Sequence, residues 1–153
     1  MKKVKLSTVK SRLKKSKAIS KVKRIKKCPV RKASDITVSK GEMIFEKFLL
    51  DLGFTPKAQH QIGYKFFDFI LEGTKILVEY DGDYWHCNPS KYPKGPEDNV
   101  QKKAIINDIY KNKLAASNGF TLIRIWESDF KEHPRSVAKR IKGIIKEVNE
   151  LSK

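Results

Sequence analysis

Between residues 39 and 53 the apolar positions recur every three or four residues, which is the period of an amphipathic helix. Ser39 and Glu42 form a capping-box pair at the start of this stretch, and Gly53 follows its end. The pattern therefore predicts a first helix. Its apolar positions are Phe45, Phe48, Leu49 and Leu52.

Three short apolar stretches follow the first helix and predict strands. Residues 58–62 predict a short strand, and Lys65–Leu71 and Lys75–Asp81 predict two stronger ones joined by a glycine-containing turn. Within the third strand, Ile76–Val78 is apolar at three successive positions. Such a run is typical of a strand that is covered on both faces.

The second half of the chain predicts a helix, a strand and a helix. Residues 97–118 predict a long helix, Phe120–Trp126 predicts a fourth strand, and Pro134 suits the first turn of a last helix. Because a long helix separates the third and fourth strands, we expect these strands to be parallel. The order predicts an α/β fold, a small mixed sheet with helices on both sides. The apolar stripe of the last helix is Val137, Ile141, Ile144, Ile145, Val148 and Leu151.

Positive charge is concentrated in the N-terminal part of the chain. The first 40 residues hold 16 Lys or Arg and one acid, so they carry +15 of the net charge of +17. Lys and Arg that neutralise phosphates release counterions, so we interpret residues 1–38 as a flexible nucleic-acid-binding arm and residues 39–153 as the compact domain. A solvated disordered tail is the alternative. The candidate contacts of the arm are Lys14, Lys15, Lys23, Arg24, Lys26, Lys27, Arg31 and Lys32.

Several classes of protein do not fit the sequence. Cys28 and Cys87 are isolated, which gives neither a zinc spacing nor a disulfide framework, and a reducing compartment is expected. No stretch approaches the roughly 20 apolar residues of a membrane helix. The N-terminus lacks the apolar core of a secretory signal. We therefore expect a cytoplasmic protein with no membrane partner and no small-molecule cofactor.

Acidic residues interrupt the two strongest strands. Asp68 lies among apolar residues, while Glu79 and Asp81 follow a buried run at a spacing that places both carboxylates on one side of a strand. A hairpin would bring Asp68 close to the other two. Carboxylates so close repel one another and are costly to desolvate, so a divalent cation is expected, with Mg²⁺ or Mn²⁺ favoured by oxygen ligands. A structural hydrogen-bond network is the alternative.

Candidates for the remaining chemistry lie nearby in the sequence. His86 follows Asp81 by five residues, and together with a bound ion it would suit phosphodiester hydrolysis. Packing of His86 in an aromatic cluster is the alternative. Trp85 is interpreted as a core residue or as a wedge that stacks on bases.

Two helical positions are also ambiguous. Glu42 is either a helix cap or a carboxylate directed at the site. Asp108, Lys111 and Asn112 share one polar face of the long helix, which a solvated surface would explain equally well.

These motifs resemble the restriction-endonuclease-like superfamily, also called PD-(D/E)xK. Within it, the sequence is most similar to very-short-patch repair endonucleases and related phage or intron-encoded homing endonucleases. The resemblance covers about residues 39–130. It is carried by Asp68, Glu79-Tyr80-Asp81-Gly82, Tyr84-Trp85-His86, Asp108-x-x-Lys111 and Leu122-Ile123-Arg124-Ile125-Trp126-Glu127.

The resemblance implies roles for five acidic and histidine residues. Asp68 matches the first metal-binding aspartate, and Glu79 matches the acid of the Asp/Glu-x-Lys pair. Asp81 occupies the place of the lysine, where the repair branch carries a histidine. His86 matches the second histidine of that branch, a candidate general base or acid, and Glu42 matches its helix-one glutamate.

The sequence also departs from the pattern of the superfamily. Phe67 replaces the proline before the first aspartate, and the usual lysine is missing. Lys111, on the long helix, is a candidate to supply its charge. The repair enzymes carry a structural zinc that two isolated cysteines cannot rebuild, so mismatch specificity is not expected.

The sequence therefore predicts a Mg²⁺- or Mn²⁺-dependent endonuclease that acts on double-stranded DNA in a bacterial or phage-infected cell. A small domain with one site cuts one strand, so cutting both strands requires a homodimer or two events. Two alternatives remain: a non-catalytic nucleic-acid-binding protein that keeps the fold, and an RNA-docking protein that acts through the basic arm.

Overall fold

A computed structural model describes residues 38–151 of the chain. The candidate phosphate contacts of the predicted arm lie outside the described residues. Eight elements follow one another within them. They are α1 (Lys40–Asp51), β1 (Pro56–Ile62), β2 (Lys65–Leu71), β3 (Ile76–Asp81), α2 (Asn99–Ser117), β4 (Thr121–Trp126), α3 (Glu127–Glu132) and α4 (Pro134–Leu151).

The four strands form one mixed sheet in the order β1-β2-β3-β4. The pairs β1–β2 and β2–β3 are antiparallel, and β3–β4 is parallel, as expected for strands separated by a long helix. The parallel register places Glu79 beside Arg124. The predicted mixed α/β fold, with helices flanking a small sheet, is confirmed.

Both faces of the sheet are covered by helices. Ile76 and Val78 pack in a larger core cluster with residues of α1 and α4, whereas Leu77 packs in a smaller cluster with Ala115 of α2. Alternation along β3 thus divides the described part of the chain into three layers. All three of these β3 residues are fully buried, so the predicted two-sided burial is confirmed.

The structure differs from the predicted elements in two places. The short helix α3 was not predicted, because its sequence is polar; Phe130 fixes it by packing edge-on against Phe45 and Phe48 of α1. Leu151 was predicted on the buried stripe of α4 but is 89% exposed at the end of the helix. Within residues 38–151, no helix is both long and apolar enough to cross a membrane.

Candidate functional site

The sheet is irregular at Asp68, and this irregularity positions the candidate site. Phe67 packs in the smaller core cluster, whereas Phe69 and Leu71 pack in the larger one on the opposite face. A regular strand would place the three side chains on one face, so β2 changes face at Asp68. On β1, Gln59 has a φ of 55° and is the position left out of the otherwise continuous pairing with β2.

Two carboxylates replace backbone acceptors where β2 and β3 separate. The paired register between these strands covers only Phe69–Val78 and Ile70–Leu77. Next to it, the backbone N–H of Asp68 donates to Oε1 of Glu79 at 3.1 Å, and the N–H of Tyr80 donates to Oδ2 of Asp68 at 2.8 Å. The two acids are therefore fixed against one another by the backbone of the opposite strand.

Glu79 is compensated by a lysine from α2. Nζ of Lys111 donates to Oε2 of Glu79 at 2.5 Å, and both side chains are buried. The same ammonium lies 4.9 Å from the centre of the Phe67 ring. Burial raises the pKa of Glu79, and Lys111 opposes that rise. Lys111 thus reaches the site, which a solvated helix face would not explain.

Asp81 is compensated by an arginine from β4. Nε and Nη2 of Arg124 donate to the two oxygens of Asp81 at 2.6 and 2.7 Å, and Nη2 also lies 2.9 Å from Oδ1 of Asp108. Burial opposes the positive charge, but the two carboxylates outweigh it and raise the pKa of Arg124. A bidentate pair of this kind holds Asp81 in one orientation.

His86 is held by an acid from α2. Its Nδ1 lies 2.7 Å from Oδ2 of Asp108 and 3.7 Å from Oδ1 of Asp81. Burial alone would lower the pKa of His86, but the hydrogen bond to Asp108 and the charges of both carboxylates raise it. Within residues 38–151, Nε2 of this ring has no hydrogen-bond partner. The interpretation of His86 as part of an aromatic cluster is therefore wrong.

Asp68 is the acid of the hairpin that lacks a cationic hydrogen-bond partner within the described part of the chain. Burial and then the charge of Glu79 raise the pKa of Asp68 to about 7. Glu42 of α1 adds to this rise. Of the two carboxylate oxygens, Oδ2 accepts the hydrogen bond of Tyr80, and Oδ1 has no hydrogen-bond partner among residues 38–151.

A groove of about 310 Å³ opens beside these residues, and we call it the His86 groove. Glu42 lines it, and its backbone N–H donates to the hydroxyl of Ser39, which caps α1. The side-chain amide of Gln59 donates to the carboxylate of Glu42 at 3.5 Å. Trp85 on the rim is 61% exposed, so its interpretation as a core residue is wrong. Its role as a wedge that stacks on bases stays a prediction. The lining residues are Ser39, Gly41, Glu42, Tyr80, Gly82, Trp85, His86 and Glu127.

Among the described residues, one of the predicted ligands, Asp68, fits a divalent cation. Asp68 offers an oxygen without a hydrogen-bond partner among residues 38–151 and a carboxyl group without a cationic hydrogen-bond partner there, and hard cations prefer carboxylate oxygens. Glu79 and Asp81 already bind Lys111 and Arg124, so the argument that these two acids need an ion does not hold. Among residues 38–151, no three His, Cys, Asp or Glu side chains are arranged to hold a metal. The ligand set Asp68, Glu79 and Asp81 stays a prediction.

Sequence reasoning missed the roles of two residues. Asp108 was interpreted only as part of a polar helix face, and Arg124 was given no role. One signal was available for Arg124: a single cation within an apolar strand, predicted to run parallel to the strand that carries Glu79. For Asp108 there was only its three-residue spacing to Lys111.

Comparisons with known proteins complete these observations. No protein-family model matches the chain, and no curated protein matches it. Among solved structures, the catalytic domain of the homing endonuclease I-Bth0305I is similar, with 20% sequence identity and a TM-score of 0.49. The match covers 69% of this chain and 92% of that one. The assignment of a function therefore depends on the geometry of the site.

Proposed function

We propose that this chain is a nuclease that hydrolyses phosphodiester bonds of DNA with the help of Mg²⁺ or Mn²⁺. One observation carries the proposal: His86, hydrogen-bonded to Asp108, lines the same groove as Glu42. The charge of Glu42 acts on Asp68, a half-buried acid with no cationic hydrogen-bond partner among the described residues. Such a pair handles protons, and such an acid binds a hard cation.

His86 is the proton-transfer group of the proposal. With its proton on Nδ1 donated to Asp108, the ring keeps Nε2 free to accept a proton from an attacking water. A histidine is most effective when its pKa lies near the working pH, and the carboxylates around His86 oppose the fall that burial alone would cause. Asp108 orients the ring and stabilises its charged form.

Asp68 is the proposed carboxylate ligand. Mg²⁺ is commonly held by one or two carboxylates together with waters and substrate phosphates, so one open acid suits it. A bound cation would supply charge for the phosphate and an activated water. Glu42, from α1, would add a second negative charge near Asp68.

The other predicted site residues have a supporting part in this proposal. Ligation by Glu79 or Asp81 would cost the buried ion pairs with Lys111 and Arg124. We therefore assign Glu79 the role of holding Lys111 near Asp68, whose pKa that lysine lowers. Asp81 holds Arg124 beside His86, with Nη2 at 3.3 Å from Nδ1.

Double-stranded DNA is the proposed substrate. The basic residues of the N-terminal segment would follow its phosphate backbone, and the exposed ring of Trp85 at the rim of the His86 groove would contact bases. A single site of this kind cuts one strand, so a linear product requires two events or a homodimer.

The test is cleavage of supercoiled plasmid by the full chain, with Mg²⁺ and with EDTA. We expect nicked circles with Mg²⁺ only, and Asp68→Asn should abolish cutting while leaving DNA binding intact. The matched control is Asp51→Asn, an exposed acid on α1 paired with Lys47. A second readout does not need activity: Mg²⁺ should raise the Tm of the wild type but not that of Asp68→Asn.

A second candidate function is binding of nucleic acid without catalysis. It is favoured by one observation, that Glu79 and Asp81 are both compensated by cations of the chain itself. The plasmid assay separates the two. Tight DNA binding with no Mg²⁺- or Mn²⁺-dependent cutting, and no effect of the ion on Tm, would refute the nuclease and support the binding protein.

A further inference from the structure

A second groove of about 320 Å³ lies along the edge strand β4, between α2 and α4. We call it the edge groove. It has a cationic part and an apolar part, and through Arg124 it adjoins the cluster around His86. Its lining residues are Asn112, Ala116, Phe120, Leu122, Arg124 and Arg140.

The first cation of the edge groove is the guanidinium group of Arg124, of which one nitrogen is only weakly bonded. Nε and Nη2 are taken by Asp81 and Asp108. Nη1 has a weaker contact, 3.5 Å to Oδ1 of Asn112, which also lines the groove. The N–H groups of Nη1 and the side-chain NH₂ group of Asn112 are therefore available as donors to an anion.

The second cation is Arg140 of α4. Its side chain is exposed, and it forms no ion pair within residues 38–151. An arginine presents a planar fork of donors that matches the geometry of phosphate. Arg124 and Arg140 line the same groove, so a phosphate group bound in it would have two arginines as neighbours.

The apolar part of the groove is formed by Phe120 and Leu122 at the β4 side. Phe120 is half-buried, and Nζ of Lys75 lies 4.6 Å from the centre of its ring. The His60 ring also lies 5.7 Å from the Phe120 ring, so the groove reaches only the part of Phe120 that Lys75 and His60 leave open. Proteins that bind single-stranded nucleic acid place bases against such aromatic surface while phosphates pair with nearby cations.

We propose that the edge groove binds one strand of nucleic acid, with a phosphate between Arg124 and Arg140 and a base against Phe120. This inference rests on the proposed nuclease function in one respect only: it takes the bound strand to be the substrate of that nuclease. Binding itself does not require cleavage or a metal ion.

The test measures binding of the full chain to a fluorescent single-stranded oligothymidylate in EDTA. We expect Arg140→Gln to weaken binding by about tenfold and to reduce the slope of log K against log salt by about one. Phe120→Leu keeps an apolar side chain in the core but removes the ring, and should weaken binding several-fold. The matched control is Lys139→Gln, an exposed lysine of α4 that does not line the groove.

A local readout accompanies the binding curves. The Nε–H resonance of Arg140, recorded by NMR on the full chain, should move with oligothymidylate and far less with inorganic phosphate at the same concentration. Equal effects of Arg140→Gln and Lys139→Gln would overturn the proposal, and so would equal shifts with the two ligands, which would indicate a site for small anions. Absence of plasmid cleavage would refute the nuclease while leaving this result intact.

Discussion

At the scale of single residues, the site is defined by which charged groups have partners. Glu79 and Asp81 are each paired with a cation, and His86 is paired with an acid. Asp68 is instead hydrogen-bonded by backbone, and its pKa is raised to about 7 by burial and by Glu79. An ionised carboxylate without a cationic hydrogen-bond partner is costly away from water, so we expect Asp68 to lower the stability of the fold when it ionises.

The raised pKa of Asp68 predicts a pH-dependent loss of stability. The folded chain keeps this proton up to a pH of about 7, whereas the unfolded chain loses it near the ordinary value of about 3.9, so the free energy of unfolding falls as the pH rises between these values. Asp68→Asn removes this dependence. At a pH of about 8 in EDTA, we expect the free energy of unfolding of Asp68→Asn, measured with urea, to exceed that of the wild type by roughly 1–4 kcal/mol. One pKa unit is worth about 1.4 kcal/mol.

The stability difference between Asp68→Asn and the wild type should shrink toward a pH of about 4, where Asp68 is protonated in the folded state and partly protonated in the unfolded state. A constant difference between the two proteins over this range would contradict the assignment of the raised pKa to Asp68.

The Asp108–His86 contact predicts the titration of the ring. Asp108→Asn replaces the carboxylate by a neutral amide, so the charged hydrogen bond and the negative charge of Asp108 that raise the pKa of His86 are lost, while burial, which lowers that pKa, remains. NMR titration of the ring protons should therefore give a lower pKa in the variant than in the wild type. An unchanged pKa of His86 would show that the hydrogen bond does not form in solution.

At the scale of elements, α2 is attached to the sheet by charge as well as by apolar contact. Its buried residues are few, namely Gln101, Lys111 and Ala115, and Lys111 is bound to Glu79 of β3. The hairpin β2–β3 and the helix α2 are thus joined at the same point that carries the candidate site. A change to this pair should affect the docking of the helix and not only the chemistry.

Removal of one partner of this buried pair should be strongly destabilising. Lys111→Met leaves the carboxylate of Glu79 buried without its cation, which typically costs about 3–5 kcal/mol. Adding Glu79→Gln should recover most of the loss, because the amide oxygen still accepts the N–H of Asp68 and carries no charge. Urea unfolding of both single variants and the double variant measures this coupling; additive losses would argue against a direct pair.

Helix α1 approaches β3 so closely that one glycine is required. A Cβ atom at Gly41 would lie 2.7 Å from Cε1 of Tyr80, a ring that is itself stacked on Phe45. Gly41→Ala should therefore lower the free energy of unfolding by roughly 1–3 kcal/mol. The control is Gly143→Ala in α4, where nothing lies within 4 Å, and which should stabilise by up to about 1 kcal/mol. Equal effects of the two changes would contradict the close packing of α1.

At the scale of the whole molecule, the charge is divided unequally along the chain. Residues 1–40 carry +15 of the net charge, and residues 41–153 carry 18 basic and 16 acidic residues. The domain that holds the candidate site thus has little net charge of its own. Long-range attraction to a polyanion would come from the N-terminal segment, while orientation of a strand at the site would come from Arg124, Arg140 and Trp85.

Deletion of residues 1–37 tests this division. We expect weaker DNA binding and a much smaller slope of log K against log salt, since several phosphate contacts are lost. Plasmid nicking should persist at higher enzyme concentration, because the described site residues are all retained. An unchanged salt dependence would show that the arm does not contact phosphates.

The sequence by itself determined seven of the eight described elements and their order, all but the short helix α3. Helical and strand periods, the cap at Ser39 and the long helix between β3 and β4 are local signals, and the predicted mixed sheet follows from them. The proximity of Asp68 and Glu79 also follows from local information, because a hairpin with a short turn fixes which residues face one another.

Only the tertiary structure decided how the charges pair. Lys111 and Glu79 are 32 positions apart, Arg124 and Asp81 are 43 apart, and His86 and Asp108 are 22 apart. Periodicity within an element says which face a residue lies on, but the pairing of charges depends on how α2 and β4 pack against β3. For that reason the sequence could single out Asp68, Glu79 and Asp81. Their partners, the role of Asp108, and the absence of a cationic hydrogen-bond partner for Asp68 within the described residues were set by the packing of distant segments.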